Sequence, residues 1–358
     1  MSKSKYENFN EYIIPPGETL KDHLEAFEMT EVDLANKTGL SKKTINEIIN
    51  AKAPITPTTA IKLGYVFDSP AYFWINAEMH YQEQLARKKE YQNIMADVKY
   101  LEGLPYNEIA TRGWEWLSPT RDLGERVVNL RKFLGVASLK YEPNILSKIN
   151  FRKSDNPNFS TNALYCYIKY GEREFYKEIY PDYDEKKLKE AVKKLRNLTV
   201  HSFLDELETI QQVLKKCGVC LIYEPHLKHT YLNGLSYKIC KSNALIMISD
   251  KGKRDDILWF TLFHEIAHLL KHSKKELYID LDGAEKNEIE IEADNYAKNI
   301  LIKNSIYKNF VKKNMKITEK NIQDFAKENK ITPGILIGRL QNDGLLKYNE
   351  FNDLIIRI

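Results

Sequence analysis

Cysteine is scarce in this chain, with four in 358 residues. That is too few for a disulfide framework and implies a reducing compartment, expected to be the cytoplasm. Long apolar runs are also missing. No window approaches the roughly 18 uninterrupted apolar residues of a membrane helix, so no membrane partner is expected. The opening MSKSKYENFNEYIIPPGE has no apolar stretch after its lysines, and a secretory signal is not expected. There is no internal repeat, no low-complexity tract and no long run of one charge. The net charge is +4, and residues 1–100 hold 12 Lys+Arg against 14 Asp+Glu. A broad basic surface for non-specific nucleic-acid binding is thereby excluded, and any such contact must be local.

The remainder is the composition of a globular protein, 43% apolar and 29% charged, long enough for two or three domains. The pattern predicts a mainly α protein of α+β class. A helical bundle is expected over residues 1–95, a helical connecting module over 96–200, and a domain with a small sheet over 201–358. In the front part, Thr30 and Asp33 form a capping pair before one short helix, and Gly39 ends it. Ser41 caps a second, on which Ile45, Ile48 and Ile49 share a face. Thr56 caps a third, with Pro57 at its first position. Phe73 and Trp74 are expected in the core of this part. Further on, Leu188, Ala191, Val192 and Leu195 make one apolar stripe. VCLIYEP and ALIMIS (244–249) read as buried strands. Cys217 and Cys220 form a CxxC without a second pair, which points to packing rather than metal or redox work.

The most informative string is HEIAH, His264 to His268. At i and i+4 on a helix, two imidazoles sit one above the other and can hold one metal ion from a single face. Zn²⁺ takes nitrogen ligands in tetrahedral geometry, and a catalytic site uses three protein ligands plus water. Glu265 can then reach that water as general base for attack on a carbonyl. The flanking WFTLF and LL give the buried helix such a site requires. No third histidine follows at the metzincin spacing. A third ligand is sought in EIEAD, where helical spacing favours Glu290, with Glu292 as the alternative. Asp294, one turn after Glu290, can orient a ligand histidine. By analogy with zinc peptidases, ALIMIS is expected to form the cleft edge, where an extended substrate pairs.

With HEIAH followed by EIEADNYAKNILI, and with KKCGVCLIYEP and IQDFAKENKITPGILIGRLQNDGLL around it, residues 150–345 resemble the ImmA/IrrE family of bacterial and phage metallopeptidases. The resemblance implies a zincin-like fold, one Zn²⁺ per chain on His264, His268 and Glu290, Glu265 as the catalytic carboxylate, and protein substrates such as repressors. The front segment, from PPGETLKDHLEAFEMTEVDLANKTGLSKKTINEIIN to FWINAE, resembles the HigA-type antitoxins, helix-turn-helix proteins of the Cro/repressor class.

In such a unit the second helix enters the major groove by its N-terminal turn. Lys42 and Lys43 are placed to reach guanine edges or phosphates, and Glu47 can accept from cytosine N4. Thr44, Asn46 and Asn50 are further candidate contacts. Glu31, where this class often has glutamine near phosphate, repels DNA. Half-site geometry favours a homodimer. Two functions follow. One is a DNA-binding regulator with a zinc-dependent endopeptidase domain that cleaves a protein, either a repressor or a toxin-system partner. The other is an antitoxin and autoregulator whose peptidase-like domain binds a cognate toxin or senses a signal without proteolysis.

Overall fold

The computed structural model describes residues 12–141, 157–272, 277–281, 288–314 and 316–358. They fall into two compact units, one of residues 1–102 with 119–140 and one of 103–118 with 141–358. The stretch 96–200, expected as one connecting module, is divided between them.

The first unit begins with α1 (Pro16–Ala26), α2 (Glu31–Thr38), α3 (Lys42–Ile49), α4 (Pro57–Phe67) and the long α5 (Ala71–Asp97). The local signals act as expected. Thr30 and Asp33 close a reciprocal capping box on α2, and Gly39 ends it in the left-handed region at φ +66°. The Ser41 hydroxyl accepts the Thr44 N–H, and Thr56 that of Thr59. Leu20, Leu34, Ile45, Ile48, Leu63 and Trp74 fill the core. Phe73 does not join them. It lies on the outer side of α5 and remains 39% exposed. A further helix, α6 (Tyr106–Ile109), opens the second unit, whereas α7 (Leu123–Leu134) belongs to the first. Arg131 of α7 fastens to Asp97 at the end of α5, with Nε 2.9 Å and Nη2 2.7 Å from one carboxylate oxygen.

In the second unit α8 (Thr161–Phe175), α9 (Glu185–Leu198) and α10 (Leu207–Lys215) precede the sheet. The α9 stripe Leu188, Ala191, Val192 and Leu195 enters the same core as the sheet, which is why α9 is no part of a linker. The strands are β1 (Val219–Tyr223), β2 (Leu232–Tyr237), β3 (Ala244–Ile248) and β4 (Tyr278–Leu281). Their order is β1-β3-β2-β4, with β1 parallel to β3 and the other pairs antiparallel. This corrects the placement of ALIMIS at the cleft edge. β3 has a partner strand on each side and all five residues buried, so its backbone groups are already used. Cys217 and Cys220 are buried free thiols, consistent with packing.

Against the sheet lies α11 (Asp255–Lys271), followed by α12 (Glu288–Leu301), α13 (Asn304–Lys313), α14 (Glu319–Asn329) and α15 (Pro333–Asn342). Asp255 anchors the start of α11, where its buried carboxylate accepts the Phe203 N–H at 2.6 Å and the Ser202 hydroxyl at 3.2 Å. Burial pushes the Asp255 carboxyl up to about 6. Trp259, Leu262, Phe263 and Ile266 of α11 point into the core. The face that carries His264 and His268 turns toward α12.

Candidate functional sites

The spacing of HEIAH puts both imidazoles on one side of α11, and α12 supplies a carboxylate opposite them. His264 Nε2 stands 3.0 Å from His268 Nε2 and 3.0 Å from Glu290 Oε2, and His268 Nε2 stands 3.3 Å from the same oxygen. Ligand atoms 2.0–2.1 Å from one ion at tetrahedral angles lie about 3.3 Å apart, so this triangle has the dimensions of one face of a zinc shell. The chemistry of the donors agrees. The Asp294 carboxylate accepts from His264 Nδ1 at 3.0 Å and so orients the ring with Nε2 toward His268 and Glu290. Burial lowers the pKa of His268, which keeps that ring neutral. Burial pushes the Glu290 carboxyl up, but the two histidines outweigh it and hold it well below the usual carboxylate range. Two imidazole nitrogens and a carboxylate oxygen therefore converge on one point, a donor set suited to a cation.

Glu292, the alternative ligand, is not part of this cluster. It points to solvent and pairs with Lys271 at 2.5 Å. Glu265, about a quarter-turn of α11 from His264, is fully buried against β2. The Ser236 hydroxyl donates to its Oε2 at 2.6 Å. Gly234, two residues earlier on β2, leaves the necessary space. A Cβ there would lie 2.8 Å from Glu265 Oε1 and 2.5 Å from Thr261 Cγ2.

On α3, Lys42, Lys43 and Asn46 are exposed. The other candidates are partly committed to their own helix. Thr44 Oγ1 lies 2.8 Å from Ser41 Oγ, Glu47 pairs with Lys43 at 3.8 Å, and Asn50 Nδ2 donates to the Asn46 carbonyl at 2.8 Å. Asn46 Nδ2 is 3.5 Å from the Glu31 carboxylate, which thus lies beside α3.

A helix-turn-helix family model matches residues 20–72, and the model for the IrrE N-terminal-like domain matches residues 216–341. An HTH-type transcriptional regulator of Haemophilus influenzae is 33% identical over 85 residues, covering 23% of this chain and 79% of that protein. The chain belongs to the helix-turn-helix regulators and carries an IrrE-like domain. Among solved structures, the front of the regulator is similar to the Pseudomonas aeruginosa antitoxin HigA with the higBA promoter. Identity there is 33%, coverage is 25% of this chain and 92% of that one, and the TM-score is 0.21. It is also similar to an addiction module antidote protein of a HigA family from Coxiella burnetii. Identity is 28%, coverage is 24% and 96%, and the TM-score is 0.23.

Three residues of the IrrE-like domain escaped the sequence reading: Ser236, Gly234 and Tyr278. The Tyr278 ring stacks on His268 with centroids 4.5 Å apart and planes 5° apart. LNGLSY has no clean alternation, and a glycine and serine within it gave no sign that they face a helix. Ser236→Ala is expected to lower stability by about 1.5–3 kcal/mol, because it removes a buried donor from a carboxylate. Denaturant melts of Ser236→Ala with and without Glu265→Ala, which removes the acceptor, measure the coupling. Full additivity of the two changes would mean that the hydroxyl and the carboxylate do not interact.

Proposed function

We propose that this regulator binds operator DNA through α3 and acts through its IrrE-like domain as a zinc-dependent endopeptidase on a protein partner in the cytoplasm. The observation that carries the reading is the convergence of His264, His268 and Glu290 within 3.0–3.3 Å of one another. A zinc ion held by these three supplies the positive charge that polarises a peptide carbonyl and acidifies water. The side chains do the rest. Asp294 keeps the His264 ring oriented and its Nε2 free of a proton. Glu265 accepts the proton that water loses as it attacks the carbonyl carbon. The same carboxyl then delivers that proton to the amide nitrogen as the C–N bond breaks. Ser236 holds Glu265 in place between the two transfers.

Purified protein is expected to contain about one zinc per chain by mass spectrometry, and His264→Ala, His268→Ala and Glu290→Ala to lose it. In an extract of the host, the protein is expected to generate new protein N-termini that disappear with 1,10-phenanthroline and return with zinc. Zinc-free wild-type protein would remove the reading. The second reading, in which the IrrE-like domain binds a partner without cleaving it, draws on the full burial of Glu265. Zinc at full stoichiometry with no new N-termini would select it.

For DNA, Lys42→Ala with Lys43→Ala is expected to weaken binding to the DNA upstream of the regulator's own gene. Each lost phosphate contact lowers the slope of log K against log salt by about 0.9. Gel-shift or anisotropy titrations at several salt concentrations read this directly. Binding and slope that both stay unchanged would move the contact to another surface.

A further inference from the structure

Beyond the metal triad, the same pair of helices encloses a second feature. A cavity of about 220 Å³ opens among α11, α12, α15 and the residues after it. Ile257, Phe260, Leu301 and Ile335 give it apolar walls, and Lys298 and Arg339 supply cationic ones. Its position follows from helical phase. On α11, Ile257, Phe260 and His264 are spaced by three and four residues and so share a face. On α12, Glu290, Asp294 and Lys298 are spaced by four and share another. The cavity therefore continues the seam that holds the metal ligands, one turn further along. Phe260 bridges the two, with its ring centroid 6.0 Å from that of His264.

The charges of the walls do not cancel. Arg254 and Asp256, which also line the cavity, neutralise each other at 2.9 Å. Lys298 and Arg339 share one nearby carboxylate, Asp343, at 3.4 Å and 4.0 Å. The Arg339 side chain is nine-tenths buried, and its outer nitrogens serve the carbonyls of Lys298 and Ile302 and the Asn304 side chain. Its Nε–H is buried with no acceptor at hydrogen-bond distance among the described residues, Asp343 Oδ2 standing at 4.0 Å, and the Tyr307 ring covers the guanidinium at 3.9 Å. A buried donor of that kind is costly until an acceptor arrives. A cavity of about 150 Å³ accepts benzene, so this one has room for an aromatic ring with a short polar arm.

We propose that this cavity binds a small carboxylate with an apolar body, and that its occupancy shifts the affinity of the triad for zinc. The ring or branched chain lies against Phe260 and Leu301, and the carboxylate meets Arg339 and Lys298. A ligand wedged between α11 and α12 bears on the spacing of Glu290 from the two histidines, because those residues ride on the same two helices. The coupling rests on the metal reading above. The binding does not.

Phenylacetate is the probe, with phenylacetamide as its uncharged counterpart. Titrated into metal-free full-length protein and followed by calorimetry or ligand-observed NMR, phenylacetate is expected to saturate with a Kd below about 1 mM. The amide is expected to bind at least about tenfold more weakly. Leu301→Trp, which fills the cavity, and Lys298→Ala, which removes a charge at its edge, are both expected to weaken binding by about tenfold or more. Thermal melts establish that each variant is folded, and two variants at separate walls keep the test standing if one is not. Zinc affinity, measured against a competing chelator, is expected to change by about threefold or more with saturating phenylacetate in wild type and not in Leu301→Trp. Non-saturating binding, or binding that survives Leu301→Trp, would overturn the site. Equal binding of the amide would overturn the carboxylate. Zinc affinity indifferent to bound phenylacetate would overturn the coupling. Loss of zinc binding with phenylacetate binding intact would instead overturn the metal reading.

Discussion

Glu265→Gln is expected to leave the zinc content unchanged and to slow peptide hydrolysis by about 10²–10⁴-fold, the range that positioned general acid–base catalysis contributes. The two properties separate because Glu265 is not one of the three ligand groups, although it shares α11 with two of them. His264 and His268 meet Glu290 of α12, and Glu265 packs against β2, where Ser236 donates to it at 2.6 Å. Glutamine has the same shape and keeps a carbonyl oxygen for the Ser236 hydroxyl, so the packing against Gly234 persists. What it loses is the capacity to take a proton from water. Metal analysis alongside the rate of appearance of new N-termini in host extract reads both properties on one preparation. Cleavage as fast as wild type would remove Glu265 from the mechanism. Joint loss of zinc and cleavage would make Glu265 a structural support for the triad.

The site was legible in the sequence where its residues are close together. HEIAH states a helix, a spacing and a base within five residues, and its burial follows from WFTLF before it. The choice between Glu290 and Glu292 rested on helical phase, and phase is also what separates them in the structure. Glu290 shares a face with Asp294 toward α11, while Glu292 turns to Lys271. The caps at Thr30, Ser41 and Thr56 were equally plain, because a cap involves residues only two or three apart.

What could not be read is whatever depends on which elements meet. ALIMIS was recognised as a strand, yet its place in the sheet was wrong. Its run of five apolar residues is the signature of a strand covered on both faces, which argues for an interior position and against a cleft edge. β2 and β4 were missed because glycine, asparagine and serine interrupt one and the other has four residues. The burial of Ser236 beside Glu265 joins positions 29 residues apart, and nothing local announces it. The stretch 96–200 reads as one helical module because LGERVVNLRKFLGV and the amphipathic YDEKKLKEAVKKLRNL both have helical patterns. The two helices belong to different compact units, a distinction that a local apolar pattern alone does not make.

The ion pair that assigns α7 to the front unit has the other large expected effect. Arg131→Ala is expected to destabilise that unit by about 3–5 kcal/mol, the cost of leaving a buried charge uncompensated. Asp97 is almost fully buried and also accepts the Leu139 N–H at 2.6 Å and the Ser138 hydroxyl at 3.0 Å. Burial pushes its carboxyl up, but the Leu139 N–H, Arg131 and Ser138 together hold it below the usual carboxylate range. A carboxyl whose folded pKa lies below its unfolded one stabilises the fold above the unfolded value, near 3.9, and loses that contribution as pH falls through the folded one. The penalty of Arg131→Ala is therefore expected to be full at pH 7 and to shrink in acid below about pH 4. Replacing both partners at once, Arg131→Met with Asp97→Leu, is expected to cost less than Arg131→Ala alone, because no charge is left stranded. Denaturant melts at pH 7 and about pH 3, read on the full chain, measure these differences. A double variant as unstable as the sum of its single variants would mean that packing of the long arginine stem, and not the charge pair, holds α7 to α5.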